Sequence, residues 1–389
     1  MKKVLLLASV SSMIEQFNRL NIELLQELGC EVHVITSFGN ASNLSSEKNE
    51  AFKKELKQMN VTFFDVPISR STYSFDNFKA YQVIKKILKE QQYQMIHCQS
   101  PVGGIITRMA ARKLRVKGTK VLYTAHGFHF YEGAPLLNWL IYYPLERYFA
   151  KYTDCLITIN QEDFRNAKEK KLKTPDIQLI NGVGVDLHKF NQQSKISKQR
   201  FREQLKIGEK EFLLINVAEL NKNKNQIFLI NSMEKLTKKI PNIRLLLIGK
   251  GDLKDNYMKR INELNLADNI KLLGYRQDIT TLMGLSDVCV SSSKREGLPV
   301  NIIESMATGI PVVAVKNRGS QELIEHGVNG YLCSSHDSNE FEQYIEKIWS
   351  TESLIEKMGI VNRKKAEKYS EENVYQQLKI IYSNYLAIK

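Results

Sequence analysis

Short apolar runs rich in β-branched residues alternate along this chain with stretches whose apolar positions recur at helical spacing. In the first half the runs fall at residues 4–8, 32–36, 61–66, 95–98, 121–124, 155–159 and 177–180. In the second half they fall at 212–217, 243–248, 270–273, 288–290, 312–315 and 331–333. Continuous rather than alternating apolar strands, separated by helices, predict parallel sheets covered on both faces. Two such series predict an α/β protein of two doubly wound, Rossmann-like domains facing a cleft, with ligands at the C-terminal strand ends. The boundary is expected after Asn181, where Asn181-Gly182-Val183-Gly184-Val185-Asp186 gives way to a polar, lysine-rich stretch, giving domains at 1–181 and 182–370. Residues 371–389 read as a last helix, with Tyr375, Leu378, Ile381, Tyr382 and Tyr385 at helical spacing.

Composition narrows the class. A chain of 389 residues is long for one core and suits two. Hydrophobic content of 43% with 25% charge is that of an ordinary soluble protein. Five scattered cysteines form no disulfide or zinc framework, and Cys98, Cys155, Cys289 and Cys333, in apolar runs, read as buried thiols of a reducing compartment. The start, Met1-Lys2-Lys3 before a short apolar run, imitates a signal peptide but reaches Glu15 without a small-residue cleavage site, so it reads as a buried first strand. With no window near the roughly 20 apolar residues of a membrane span, a cytoplasmic protein is expected. The net charge of +14 implies anionic partners. Arg108, Arg112, Lys113, Arg115, Lys117 and Lys120 follow one another with no acid between, and residues 136–148 are aromatic and apolar. No nucleic-acid signature accompanies them, so they predict peripheral attachment to the anionic inner face of the cell membrane, not a nucleic-acid partner. A solvated helix face and a buried core helix are the plainer readings of the two segments.

The densest chemistry follows the run at 288–290. After Ser291, Ser292 and Ser293 comes Arg295-Glu296-Gly297-Leu298-Pro299-Val300-Asn301-Ile302-Ile303-Glu304. An acid sits in a glycine-containing loop, a proline starts a helix, and a second acid lies over a turn further on. Proline suits the first helical position because its missing N–H would be unpaired there. The N–H groups of Leu298, Val300 and Asn301 would then lie at the positive end of a helix, where anions bind. A phosphate cradle between two carboxylates suits a nucleotide sugar. The plain alternative is a strand–loop–helix with surface acids.

That string, continued by Ser305-Met306-Ala307-Thr308-Gly309-Ile310-Pro311-Val312-Val313, resembles the Glu, seven residues, Glu motif of the retaining GT-B glycosyltransferases, glycosyltransferase family 4. The resemblance covers essentially the whole chain, most strongly the C-terminal half. It implies the GT-B fold, an acceptor-side first domain onto which the last helix returns, and a donor-binding second domain. By resemblance Glu296 and His126 meet the donor sugar as the catalytic pair. Gly297, Leu298, Pro299, Val300 and Asn301 would hold the diphosphate, and Glu304 the ribose. His126 ends a strand in Tyr123-Thr124-Ala125-His126-Gly127-Phe128-His129, where an imidazole can donate to, or share a proton with, a sugar hydroxyl. His129 is a second candidate, facing the acceptor. Lys224 matches the family's diphosphate lysine, but Glu219 stands where the family carries an arginine, and Lys222 is the candidate for the missing charge. Gly249 would lie close to the nucleotide, with Tyr275 and Arg276 framing the base. The family's Gly-Gly loop is replaced by Ser9-Val10-Ser11-Ser12-Met13-Ile14. Ser11 and Ser12, as a helix N-cap with free N–H groups, and Arg19 are the acceptor or phosphate candidates there.

The implied activity is retaining transfer of a sugar, an N-acetylhexosamine or a related one, from a UDP-sugar to a lipid-linked (polyprenyl diphosphate) saccharide in capsule or exopolysaccharide synthesis. No Asp-x-Asp occurs, so neither a metal nor another cofactor is expected, and positive charge with a helix dipole would stabilise the leaving diphosphate. The alternatives are a sugar-nucleotide epimerase or hydrolase, and a non-catalytic sugar- or nucleic-acid-binding protein.

Overall fold

The computed structural model describes residues 1–39, 44–69, 71, 74–193, 195–204, 207–334 and 337–388. Among them, thirteen strands form two parallel sheets. The first sheet contains β1 (Lys2–Val10), β2 (Cys30–Ser37), β3 (Thr62–Asp65), β4 (Met95–Gln99), β5 (Lys120–Ala125), β6 (Cys155–Thr158) and β7 (Asp176–Leu179), in the order β3-β2-β1-β4-β5-β6-β7. The second contains β8 (Phe212–Val217), β9 (Ile243–Ile248), β10 (Ile270–Gly274), β11 (Val288–Ser291), β12 (Val312–Val315) and β13 (Gly330–Cys333), in the order β10-β9-β8-β11-β12-β13. Both are doubly wound Rossmann-like sheets, and each reverses its strand order once, between β1 and β4 and between β8 and β11. Every apolar run of the sequence overlaps one of these strands. The inner strands are buried on both faces, as Leu5, Leu6 and Leu7 of β1 show at 0% exposure, while the edge strands β3, β7 and β10 are partly exposed.

The chain divides into two compact units. One holds Met1–Gly184 with Glu372–Lys389, the other Val185–Glu371. The helix Glu371–Leu386 buries Val374, Leu378, Ile381 and Tyr382. Within the first unit the Tyr382 hydroxyl pairs with His97 Nδ1 at 2.8 Å, and Tyr385 donates to Asp176 at 3.0 Å. No helix among the described residues is long and apolar enough to cross a membrane.

The basic cluster is not wholly a surface feature. Arg108, on the helix Pro101–Val116, points inward and is 1% exposed. Its guanidinium forks onto Glu146 of the helix Leu136–Ala150 at 3.0 and 3.4 Å and lies over the Tyr123 ring at 4.0 Å. Arg115 pairs with Asp154 at 3.1 Å. The acids absent between the cations in sequence come from neighbouring elements. Arg112, Lys113, Lys117 and Lys120 remain exposed.

Candidate functional site

In the second unit, the loops leaving β8 and β11 lie side by side because these strands pair where the sheet order reverses. Asn221 folds the first loop by accepting the N–H groups of Asn223 and Lys224, each at 3.0 Å. Asn223 then binds the second loop twice, donating to the Arg295 carbonyl at 3.0 Å and accepting from the Lys294 N–H at 2.8 Å. Ser292 donates to the Lys224 carbonyl at 2.8 Å. These bonds fix Lys224 beside Glu296, with Nζ 2.5 Å from Oε1. From the far side Arg318 donates to the Glu296 carbonyl at 3.1 Å, and Asn317 to that of Ser293 at 2.8 Å. Gly319 packs so closely that a Cβ there would lie 2.8 Å from Pro299 Cδ and 2.9 Å from Glu296 Cβ. Lys222 and Glu219 are exposed.

Pro299 stands one position earlier than the sequence suggests. It is the N-cap, at φ −76° and ψ 105°, and the helix runs Val300–Ala307. Its carbonyl accepts from Ile302 at 3.1 Å, but no described group accepts the N–H of Leu298, Val300 or Asn301, and no side chain caps the helix. Three donors at a positive helix end can hold an anion. The Asn301 side chain is used internally, donating to the Val217 carbonyl at 3.0 Å. Glu304, a turn further on, is largely withdrawn from water. Burial raises its pKa to about 7, against a smaller opposing pull from Lys189.

The glycines after β9 meet a demand of the backbone itself. A Cβ on Gly249, at φ +144°, would lie 1.9 Å from the Ala218 carbonyl oxygen, and one on Gly251 would lie 2.2 Å from that of Leu220. They let the β8 and β9 loops run against each other. Beyond β10, Tyr275 is half exposed, while Arg276 forks onto Asp278 at 2.8 and 2.6 Å, which commits its guanidinium locally.

In the first unit, His126 follows β5 half-buried, with Nε2 2.7 Å from Gln99 Oε1. Burial pushes its pKa down to about 4. His129 stacks on Tyr142 at 4.5 Å. The serine loop departs from expectation. The N-cap of the helix Ser11–Phe17 is Val10, and Ser11 is already helical, its buried hydroxyl donating to Asn49 at 2.6 Å. Ser12 is buried. Arg19 reaches Glu15 at 3.4 Å and also Glu55, so its charge is paired with carboxylates. Neither a serine cap nor a free Arg19 is therefore at hand for a phosphate.

Residues 197–365 match the family model of glycosyl transferases group 1, and residues 3–160 that of the glycosyl transferase 4-like family. Among solved structures, HepE of Anabaena in complex with UDP and glucose superimposes with a TM-score of 0.78 at 21% identity, over 99% of this chain and 100% of that one, a likeness of fold. The putative glycosyltransferase EpsD of Bacillus subtilis is 39% identical over 385 residues, which are 99% of this chain and 97% of that one. The chain belongs to the GT-B glycosyltransferases. A further relative of this glycosyltransferase is the UDP-Gal:α-D-GlcNAc-diphosphoundecaprenol α-1,3-galactosyltransferase of Escherichia coli, 31% identical over 287 residues, 72% of each chain.

The structure thus gathers Lys224, Glu296 and the N–H groups around Pro299 in one place of the glycosyltransferase, while the Ser11 side chain is engaged by Asn49 and Arg19 by Glu15 and Glu55. Reasoning from sequence missed Asn223, Asn317, Arg318, Gly319 and Gln99. A signal existed for Asn317, whose side chain accepts the Ser320 N–H in a capping box directly after an apolar strand. Gln99 gave none beyond being a polar residue ending an apolar run.

Proposed function

We propose that this glycosyltransferase moves a sugar from a UDP-sugar onto a lipid-linked saccharide at the inner face of the membrane, with retention of configuration and without a metal ion. The observation that carries this reading is the Lys224–Glu296 pair set beside the N–H groups of Leu298, Val300 and Asn301. Glu296 is an acceptor suited to sugar hydroxyls, and Lys224 with the helix end is suited to a diphosphate. A Glu304 carboxylate is suited to the paired hydroxyls of a ribose. HepE was solved with UDP and glucose, and the Escherichia coli relative is named for UDP-Gal and a diphosphoundecaprenol-linked acceptor; both names point the same way. In this reading the bond from the anomeric carbon to the leaving UDP breaks as the acceptor hydroxyl attacks from the same face. The hydroxyl proton passes to the departing phosphate oxygen, so no carboxylate nucleophile is required. Capsule or exopolysaccharide assembly is the setting this acceptor class suggests.

The test is a thermal-shift panel of UDP-sugars followed by turnover with and without EDTA. A bound nucleotide sugar at 100 times its Kd should add about 2.7 kcal/mol. UDP release should continue in EDTA. A panel in which no nucleotide stabilises the protein overturns the donor assignment, and loss of turnover in EDTA with rescue by magnesium overturns metal independence.

The membrane part rests on the helix Leu136–Ala150, which exposes Leu136, Leu137, Leu140 and Ile141. Beside them Tyr143, Pro144, Arg147, Tyr148, Lys151 and Lys173 line a cavity of 270 Å³ with three cations and no acid. Apolar side chains entering the headgroup layer and cations meeting lipid phosphate reinforce each other, each basic side chain contributing about 1 kcal/mol near an anionic surface. The protein should co-sediment with phosphatidylglycerol vesicles, lose them in high salt, and be released by Leu137→Glu with Leu140→Glu. Equal binding by that variant would sink the docking face.

A further inference from the structure

The tautomer of His126 is dictated from the far end of a chain of amides. Asn18 Nδ2 lies 3.0 Å from the Met13 carbonyl oxygen, which can only accept, so that atom must be the amide nitrogen. Asn18 Oδ1 consequently faces the other way, accepting from Asn21 Nδ2 at 2.8 Å and from the side-chain amide of Gln99. The Gln99 atom on that side must be its nitrogen, because two carbonyl oxygens in contact would repel. Gln99 Oε1 is thereby turned to His126, 2.7 Å from Nε2, and a carbonyl oxygen at that distance requires an N–H. Asn18, Asn21 and Gln99 are all buried, and each is held by another of them.

We propose that Gln99 is a positioning residue that holds the proton of His126 on Nε2 and leaves Nδ1 as a bare acceptor, so that His126 meets a substrate hydroxyl and not a phosphate. Among the described residues, nothing bonds to Nδ1. Burial keeps the ring neutral at pH 7, and the neighbouring His97, buried between Thr124 and Tyr382, is neutral as well. A neutral Nδ1 accepts an O–H but has no hydrogen to give to an anion. The sugar hydroxyl partner rests on the role proposed for His126 above; the tautomer does not.

Long-range proton–nitrogen NMR on protein labelled with ¹⁵N-histidine reads the tautomer directly, with His126→Gln used only to assign the signal. At pH 7, His126 should show a protonated Nε2 and an unprotonated Nδ1. In Gln99→Met, which has similar length but no acceptor, the two nitrogens should approach averaged values. Its kcat should fall about tenfold, the equivalent of one hydrogen bond, while UDP affinity stays unchanged. A wild-type spectrum with the proton on Nδ1, or on both nitrogens, overturns the proposal without need of any variant. So does a Gln99→Met spectrum like that of the wild type. Altered tautomers with full kcat would overturn the substrate contact of His126 alone, leaving the UDP-sugar reading to its own test.

Discussion

Arg108→Ala should destabilise the first unit by about 3–5 kcal/mol, the cost of leaving one charge of a buried pair without its partner. Glu146 would keep only the Tyr123 hydroxyl at 3.3 Å, in a buried place. Gly104 would also lose the guanidinium that its carbonyl accepts at 3.0 Å. The double substitution Arg108→Met with Glu146→Leu should cost far less, because apolar groups of similar volume often replace a buried pair at little loss. Urea unfolding of the wild type, Arg108→Met, Glu146→Leu and the double variant closes the cycle. Additive single effects would show that the pair is not coupled, and that the helices Pro101–Val116 and Leu136–Ala150 are held by packing alone.

The second large effect is on UDP. The ionised Glu304 can accept one ribose hydroxyl on each oxygen, whereas protonation turns one of those oxygens into a donor, and its pKa stands at about 7 because the carboxyl is withdrawn from water. UDP affinity should therefore rise with pH through neutrality, falling by about tenfold per pH unit below it. Stability moves in the opposite sense. A carboxyl whose pKa is raised on folding stabilises the fold at low pH. This contribution is lost as pH rises from the ordinary carboxyl range toward 7, by about 1.4 kcal/mol for each pH unit crossed. The protein without nucleotide should thus weaken between pH 5 and 7, and UDP should restore more in that range as pH increases. Isothermal titration at pH 5.5, 6.5 and 7.5 checks the slope. Glu304→Gln serves as the control for the titration of UDP itself: it should bind weakly and show a flatter profile. A wild-type slope equal to that of Glu304→Gln would remove Glu304 from the ribose.

The architecture was legible because a strand buried on both faces must be apolar throughout, a pattern that needs no long-range information. The doubly wound class follows from the same pattern, since parallel strands joined by helices have few ways to wind. The stretch 295–304 was legible for a related reason, its acids, glycine and proline being local. What surrounds it was not. Glu296 meets Lys224 from 72 positions away, and Asn317, Arg318 and Gly319 close on it from the other side. Helical spacing places Arg108 on a face, but only the fold brings Glu146 to that face. Nor does the sequence show that the Ala218 and Leu220 carbonyls leave no room for a Cβ at positions 249 and 251. Such close backbone approaches leave no residue-type signature on the partner.

The return of Glu372–Lys389 to the first unit has a consequence for how this protein is made. On the ribosome the first sheet is translated long before the helix that covers part of it. Until residue 382 has emerged, His97 lacks the tyrosine hydroxyl that satisfies it in a site 1% exposed. The usual order, in which the N-terminal domain is finished first, is therefore suspended. The second unit, continuous in sequence from Val185 to Glu371, can complete itself while the first still waits for its final element. A nascent chain released early would keep an intact second unit beside an unfinished first one, so protein quality control meets truncation here as a defect of the N-terminal half.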